Sequence, residues 1–234
     1  MTNWQDIKVS ENNRAFIFKN QILFNREFVE VLKFHSPGIA PVKDHIGAFH
    51  ITSEGKDLYH ERYDRTFGFY ENRAAVVIDN KWFHITETGE KAYPEQYAWV
   101  GNFQEYKCSV RDFDDNYFHI DWNGDRVYQD NYVYVGDYKD SMACAKLNSG
   151  MWKHIHLNGA YLNGREFLDL GVFHKGFATA RDESGWFHIN KDGFAIYDIR
   201  FLIVEPFYNG FALVTNFDFS KCIIDEEGNI VLNV

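Results

Sequence analysis

Apolar and polar residues recur along the chain in a fixed order, with a period of about 35 residues. The most regular phrase is a short apolar run that ends in His-Ile and leads into a polar turn closed by glycine. Its five histidines are spaced 34, 35, 35 and 34 residues apart: His50, His84, His119, His154 and His188. The glycines of the turns that follow are Gly55, Gly89, Gly124, Gly159 and Gly193. Short apolar runs separated by glycine turns predict β-strands joined as hairpins.

A second phrase lies between these hairpins: an aromatic residue, Val or Leu three positions on, and another aromatic residue three further on. Its copies are Phe28/Val31/Phe34, Tyr97/Val100/Phe103, Tyr132/Val135/Tyr138, Phe167/Leu170/Phe173 and Phe201/Val204/Phe207, with Tyr63/Thr66/Phe69 as a weaker one. The pattern predicts a unit of three strands, of the types 106–112, 82–85 and 91–93, with the second phrase in a loop or a fourth strand.

Weaker copies at both termini bring the number of units to seven, at 1–27, 28–61, 62–96, 97–131, 132–166, 167–200 and 201–234. A small meander cannot bury its own faces, so neighbouring units must stack. We therefore predict a single all-β repeat domain, a seven-bladed β-propeller of small three- to four-stranded blades. An open β-solenoid of the same repeats is the alternative. In the propeller, a strand near 4–9 and the hairpin 221–234 are expected to meet in one closing blade.

Composition and charge argue against some classes of partner. The 234 residues are 45% hydrophobic and 18% aromatic, enough for a large core, and the net charge is −10. This acidic chain has no basic cluster, so a nucleic-acid partner is not expected. No apolar run of about 18 residues and no leader segment is visible, so we expect no membrane association and a cytoplasmic location. Cys108, Cys144 and Cys222 lack metal-ligand spacing, which predicts small buried residues.

The periodic tryptophan, the glycine turn after it and the second phrase together resemble the bacterial tryptophan-glycine (WG, or KWG) repeat family. The most similar segments are Asn80-Lys81-Trp82-Phe83-His84-Ile85 with Gly89, and Gly185-Trp186-Phe187-His188-Ile189 with Gly193. The resemblance covers nearly the whole chain, but Phe83 and Phe187 stand where the family has its second glycine. It implies a binding or scaffold module and carries over no catalytic residue.

The five histidines of one register are the first candidates for chemistry. Equivalent positions on stacked sheets lie about 10 Å apart, whereas zinc ligands bind within about 2.1 Å of the metal. We therefore interpret all five as structural residues and expect no metal site. His154 and His156 share a strand face but supply only two ligands. No nucleophile motif and no phosphate-binding loop is present, so neither enzymatic activity nor a cofactor is expected.

Positions that vary between units are free to form a binding surface. One such position follows the first aromatic residue of the second phrase by two, and reads Glu30, Arg65, Trp99, Tyr134, Asp169 and Ile203. Trp122 adds a tryptophan in a hairpin turn. Tryptophan, tyrosine and arginine are typical interface anchors. Arg65, Trp99, Trp122 and Tyr134 are thus the candidate binding residues of a non-enzymatic module that recognises a protein or peptide through one face of the repeats. The alternatives are a lectin-like or small-ligand binder, with carbohydrate as partner, and a metal-dependent hydrolase.

Overall fold

The structure is a computed structural model that describes residues 3–234. After a 3₁₀ turn at Trp4–Asp6, the described residues form seven successive antiparallel sheets. The first three sheets contain strands β1 (Lys8–Val9), β2 (Phe16–Phe18) and β3 (Gln21–Leu23); β4 (Glu30–Val31), β5 (Ile39–Lys43) and β6 (Ala48–Thr52); and β7 (Arg65–Tyr70), β8 (Arg73–Ile78) and β9 (Lys81–Ile85).

The remaining four sheets follow the same order along the chain. They contain strands β10 (Trp99–Val100), β11 (Lys107–Arg111) and β12 (Tyr117–Asp121); β13 (Tyr134–Val135), β14 (Met142–Lys146) and β15 (Trp152–His156); β16 (Asp169–Leu170), β17 (Phe177–Asp182) and β18 (Gly185–Asn190); and β19 (Ile203–Val204), β20 (Phe211–Thr215), β21 (Lys221–Asp225) and β22 (Ile230–Asn233). Each sheet lies within one of the seven sequence units.

This architecture confirms the predicted fold class: the chain is an all-β propeller with seven blades of three or four strands. A strand that is covered on both faces is expected to be largely apolar. In β8, for example, every residue from Arg73 to Val77 is buried. No helix among residues 3–234 is both long and apolar enough to cross a membrane.

The structure decides one alternative that the sequence left open, and differs from the expectation in one detail of the blade. The second phrase is not a plain loop, because it contains a two-residue strand such as β10, whose Val100 pairs with Val110 of β11. The predicted third strand at 91–93 is reduced to one bridge, between Ile85 and Lys91. The phrase was difficult to assign because two residues are too few to show strand periodicity.

The pairing of the terminal strands also differs from the expected shared closing blade. β1 pairs with β2 in the first sheet, whereas β22 pairs with β21 in the seventh. The segment 14–23 forms a complete hairpin, β2 with β3, and this hairpin supplies the partner that β1 needs. The C-terminal segment correspondingly becomes the fourth strand of its own sheet.

The chain divides into two compact units: the residues up to Asp115 with Ile120–Asp125, and Asn116–His119 with Arg126–Val234. In the first unit the fully buried residues include Phe16, Phe49 and Ile85. In the second, a core cluster contains Phe173 and Ile189. The three cysteines are buried thiols, as the sequence predicts. Burial raises the pKa of the Cys144 thiol to about 12, so it remains protonated at neutral pH.

The turn glycines allow one blade to pack against the next. Gly89 and Gly124 both have positive φ, of 84° and 92°, which favours glycine. A Cβ atom at Gly89 would lie 2.7 Å from the Tyr59 ring, and one at Gly124 would lie 2.6 Å from the Tyr93 ring. The periodic glycine is therefore required twice, for the turn and for the tyrosine that packs on it.

Candidate functional site

The five register histidines are buried, with at most 3% of their surface exposed. In four blades the Nδ1 atom is bonded to the hydroxyl of a tyrosine nine residues later, in the pairs His50–Tyr59, His84–Tyr93, His119–Tyr128 and His188–Tyr197. The Nδ1 to oxygen distance is 2.6 Å for both His84 and His119. These histidines therefore connect two segments of their own repeat.

The second ring nitrogen determines the tautomer. Nε2 of each of the five histidines lies 2.7–3.0 Å from a backbone carbonyl oxygen 17 residues later in the chain. A carbonyl only accepts, so Nε2 carries the proton, and Nδ1 accepts from the tyrosine hydroxyl. Burial lowers the pKa of His50, His154 and His188 to about 4 and that of His84 to about 3, against the weaker opposing effect of the carbonyl bond. These imidazoles are neutral at pH 7.

Histidines that form a hydrogen bond through each ring nitrogen connect separate segments of the repeat. Within residues 3–234, no three His, Cys, Asp or Glu side chains form a group that could hold a metal ion. His154 departs from the pattern, because Asn163 occupies the position of the tyrosine. The Nδ1 atom of His154 has no hydrogen-bond partner in the described part of the chain.

The structure places three of the four predicted binding residues at equivalent positions. Arg65, Trp99 and Tyr134 are each the first residue of the first strand in their sheet, at the start of β7, β10 and β13. Arg65 and Tyr134 are exposed and Trp99 is half-buried. Arg65 and Trp99 belong to the first compact unit and Tyr134 to the second.

Trp122 is not the exposed anchor that the sequence suggested. Its Nε1 donates to the carbonyl oxygen of Glu71 at 3.1 Å, and the guanidinium of Arg73 lies 3.6 Å from its ring. The indole is half-buried as a result. Its turn position predicted exposure, but an arginine stacked on a tryptophan ring is also a typical packing contact.

Tyr134 retains an exposed ring within an aromatic cluster. Its ring centroid lies 5.5 Å from that of Tyr117 and 5.9 Å from that of Trp152. The exposed fraction of Tyr134 is 43%. Tyr134 therefore presents a surface, but one whose orientation is set by its neighbours.

A pocket of about 230 Å³ lies in the first compact unit, beside Arg65. We call it the Ala48 pocket. Its lining residues come from the second sheet, the residue after β4, the residue before β7, and β7 itself: Glu30, Leu32, Pro41, Val42, Lys43, Ala48, Asp64, Arg65, Thr66 and Phe67. The pocket combines apolar walls with polar groups at its edge, as small-molecule and side-chain sites do.

The charged groups of the Ala48 pocket are two carboxylates and two cations: Glu30, Asp64, Lys43 and Arg65. Lys43 Nζ donates to the carbonyl oxygen of Asp64 at 3.3 Å, and the Asp64 carboxylate accepts from the backbone N–H of Asp79 at 2.9 Å. These bonds hold two of the four charges in place. The balance of charge favours a neutral occupant over an ionic one.

Sequence reasoning identified Arg65 and noted Glu30 at the same register, but it missed the pocket. The available signal was Ala48. The residue two positions before the register histidine is aromatic in the other four copies, as Trp82, Tyr117, Trp152 and Trp186.

Comparisons with known proteins concern the fold alone. No protein-family model matches the chain, and no curated protein does. Similar solved structures include the computationally designed Ika8 protein, with 12% identity and a TM-score of 0.50 over 97% of this chain and 85% of that one. BamB from Moraxella catarrhalis has 11% identity and a TM-score of 0.49 over 97% and 86% of the two chains. The WD40 β-propeller domain of Doa1 has 12% identity and a TM-score of 0.39 over 88% and 85%.

Proposed function

We propose that this protein is a non-enzymatic binding module that recognises a protein or peptide partner, and that the Ala48 pocket is part of its recognition site. The observation that carries the proposal is the pocket itself. It lies beside Arg65, at the register where side chains vary between the blades, while the histidine–tyrosine framework next to it repeats.

The edge of the pocket suits a polypeptide. Arg65 is exposed, and its guanidinium lies 5.1 Å from the Trp82 ring, which limits the conformations that it must lose on binding. Glu30 and Asp64 supply acceptors and Lys43 a donor around an apolar interior. An apolar centre with a polar rim is the usual arrangement of protein interfaces.

A carbohydrate partner is less well supported. That alternative needs exposed aromatic rings, and Trp122, one of the three aromatic candidates, has a ring face covered by Arg73. A metal-dependent hydrolase would need a ligand set, and residues 3–234 contain no such cluster. Membership of the tryptophan-glycine repeat family and a cytoplasmic location are parts of the same proposal, and both rest on the sequence.

The test is selection of peptides from a random display library against the immobilised full chain. Selected peptides are then titrated against Arg65→Glu and against Lys81→Glu, a matched charge reversal of an exposed basic residue in the same sheet. We expect Arg65→Glu to weaken binding at least ~10-fold and Lys81→Glu to leave it unchanged, because Arg65 borders the pocket. Failure to enrich any peptide, or equal binding to both variants, would contradict the proposal.

A further inference from the structure

The Ala48 pocket has the position of a missing side chain. In the third sheet, Arg65 pairs with Val77 and Val77 pairs with Trp82, so these three residues form one row across the strands. The corresponding row of the second sheet is Glu30, Lys43 and Ala48. Ala48 thus lies where Trp82 lies one blade later.

The third sheet shows how an indole fills this position. The Trp82 ring stacks on the Phe67 ring with a centroid distance of 5.2 Å and an interplanar angle of 20°. Leu32 follows Glu30 by two residues, as Phe67 follows Arg65, and both Leu32 and Phe67 line the pocket. An apolar surface for one face of a ring is therefore present, while the ring itself is missing.

The fifth sheet shows a lysine and a tryptophan side by side in the same row. Its row is Tyr134, Lys146 and Trp152, so that Lys146 has the register of Lys43. Lys146 Nζ lies 5.5 Å from the Trp152 ring. A lysine at this register is thus compatible with an indole beside it, and attraction between its cation and the ring contributes to the contact.

The volume and the charge of the Ala48 pocket both suit an indole. A buried apolar cavity of about 150 Å³ holds benzene, and an indole is roughly half again as large. The 230 Å³ of the pocket matches that ratio. Two carboxylates offset two cations in the lining, which favours a neutral ring. Glu30, at the register that Arg65 has in the third sheet, places an acceptor at the edge for an indole N–H.

From these observations we propose that the Ala48 pocket binds the indole of a tryptophan side chain presented by the partner, in place of the indole that the repeat lacks at this position. The proposal rests on the proposed function, since it names the chemical group by which the partner is recognised. It predicts that a tryptophan in an extended or looped peptide is the central anchor residue of the interface.

The direct test is an NMR titration of the ¹⁵N-labelled full chain with N-acetyl-tryptophanamide, a neutral analogue of a tryptophan residue. We expect amide shift changes confined to β4–β7, with a dissociation constant near ~1 mM, as for a ligand of this size. N-acetyl-leucinamide should bind at least ~10-fold more weakly. Absence of shifts in β4–β7, or equal binding of the leucine analogue, would overturn the proposal.

The matched pair of variants is Ala48→Trp and Ile46→Trp. Ala48→Trp supplies the missing side chain and should abolish binding of N-acetyl-tryptophanamide while melting at or above the temperature of the parent. Ile46→Trp adds the same indole at a residue that is 81% exposed in the adjacent turn, and should leave binding unchanged. Unfolding of Ala48→Trp would show that the space does not fit an indole, and retained binding would place the ligand elsewhere; either result overturns the proposal.

These results separate the inference from the proposed function. Displayed peptides that lack tryptophan but lose affinity with Arg65→Glu would refute the indole while leaving the binding module intact. Binding of N-acetyl-tryptophanamide without enrichment of any peptide would support the indole site and refute a peptide partner.

Discussion

The second and third sheets have the same framework and differ at their edge. His50 and His84 make equivalent bonds to Tyr59 and Tyr93, and each also donates to a carbonyl 17 residues later. At the row position, however, the third sheet has Trp82 and the second has Ala48. The buried network is repeated, whereas the residue at this row position differs between the two sheets.

The physical reason lies in what each loss leaves behind. Removing a tyrosine of the framework leaves a buried imidazole nitrogen without a partner, which costs about 1–3 kcal/mol, and Tyr93 would also take its apolar contacts with it. Removing the indole at the row position leaves an open pocket but no unsatisfied polar group. Binding positions can thus change from blade to blade while the fold is kept.

The largest effect is expected from acidification, because the buried histidines belong to the framework, whereas Ala48 and Trp82 at the row position do not titrate. Burial holds the pKa of His50, His154 and His188 near 4 and of His84 near 3, against an ordinary value of 6.5. These four imidazoles therefore bind protons below about pH 6.5 in the unfolded chain, but only below about pH 4 in the folded chain. Stability falls between these values, by roughly 2 kcal/mol per histidine from pH 7 to pH 5.

From pH 7 to pH 5, the four histidines together would lower the free energy of unfolding by about 8 kcal/mol, which is comparable to the whole stability of an ordinary domain. We expect the chain to unfold near pH 5, as measured by urea denaturation at pH 7, 6 and 5 with circular dichroism. The variant His84→Gln should flatten the dependence by about one quarter if it folds. A free energy of unfolding that stays constant from pH 7 to pH 5 would mean that the histidines titrate normally.

The framework could be anticipated in part from the sequence. The spacing of His50, His84 and their equivalents predicted the repeat, and the glycine turns predicted the hairpins. In four of the five copies a tyrosine follows the histidine by nine residues, so the pair was visible as a spacing. Its hydrogen bond was not, because a bond between a turn and a strand depends on how the loop returns.

The Ala48 pocket was harder to predict because it lies where a small residue replaces a large one. Ala48 fits a strand as well as a tryptophan does, so the local pattern contains no conflict. Trp122 was misjudged for the opposite reason. Its turn position indicated exposure, whereas its burial comes from Glu71 and Arg73, which precede it by 51 and 49 residues. Long-range partners of this kind leave no signal in a local window.

An intermediate effect is expected from Trp82→Ala, which gives the third sheet the row residue of the second. The free energy of unfolding should fall by about 2–3 kcal/mol, less than for a fully buried tryptophan, because the indole is half-buried. Thermal and urea denaturation measure it. The same variant should gain a second site for N-acetyl-tryptophanamide, stacked on Phe67, beside the site at Ala48. A loss below ~1 kcal/mol without a new site would show that the row position contributes little to packing and does not define a ring site.

The smallest effect concerns the blade in which the framework itself is incomplete. Asn163 replaces the tyrosine there, and His154 Nδ1 lacks a donor among the described residues. Asn163 lies over Gly193, where a Cβ would be 2.3 Å from its Nδ2, much as the tyrosines lie over their glycines. Asn163→Tyr should therefore restore the bond and add about 1 kcal/mol to the free energy of unfolding, after loss of the 2.8 Å bond from Asn163 Nδ2 to the Asp192 carbonyl. Asn163→Phe is the matched control, because it supplies the ring without the hydroxyl. Equal stability of the two variants would assign the gain to ring packing, and would mean that the histidine–tyrosine bond is not what the repeat maintains.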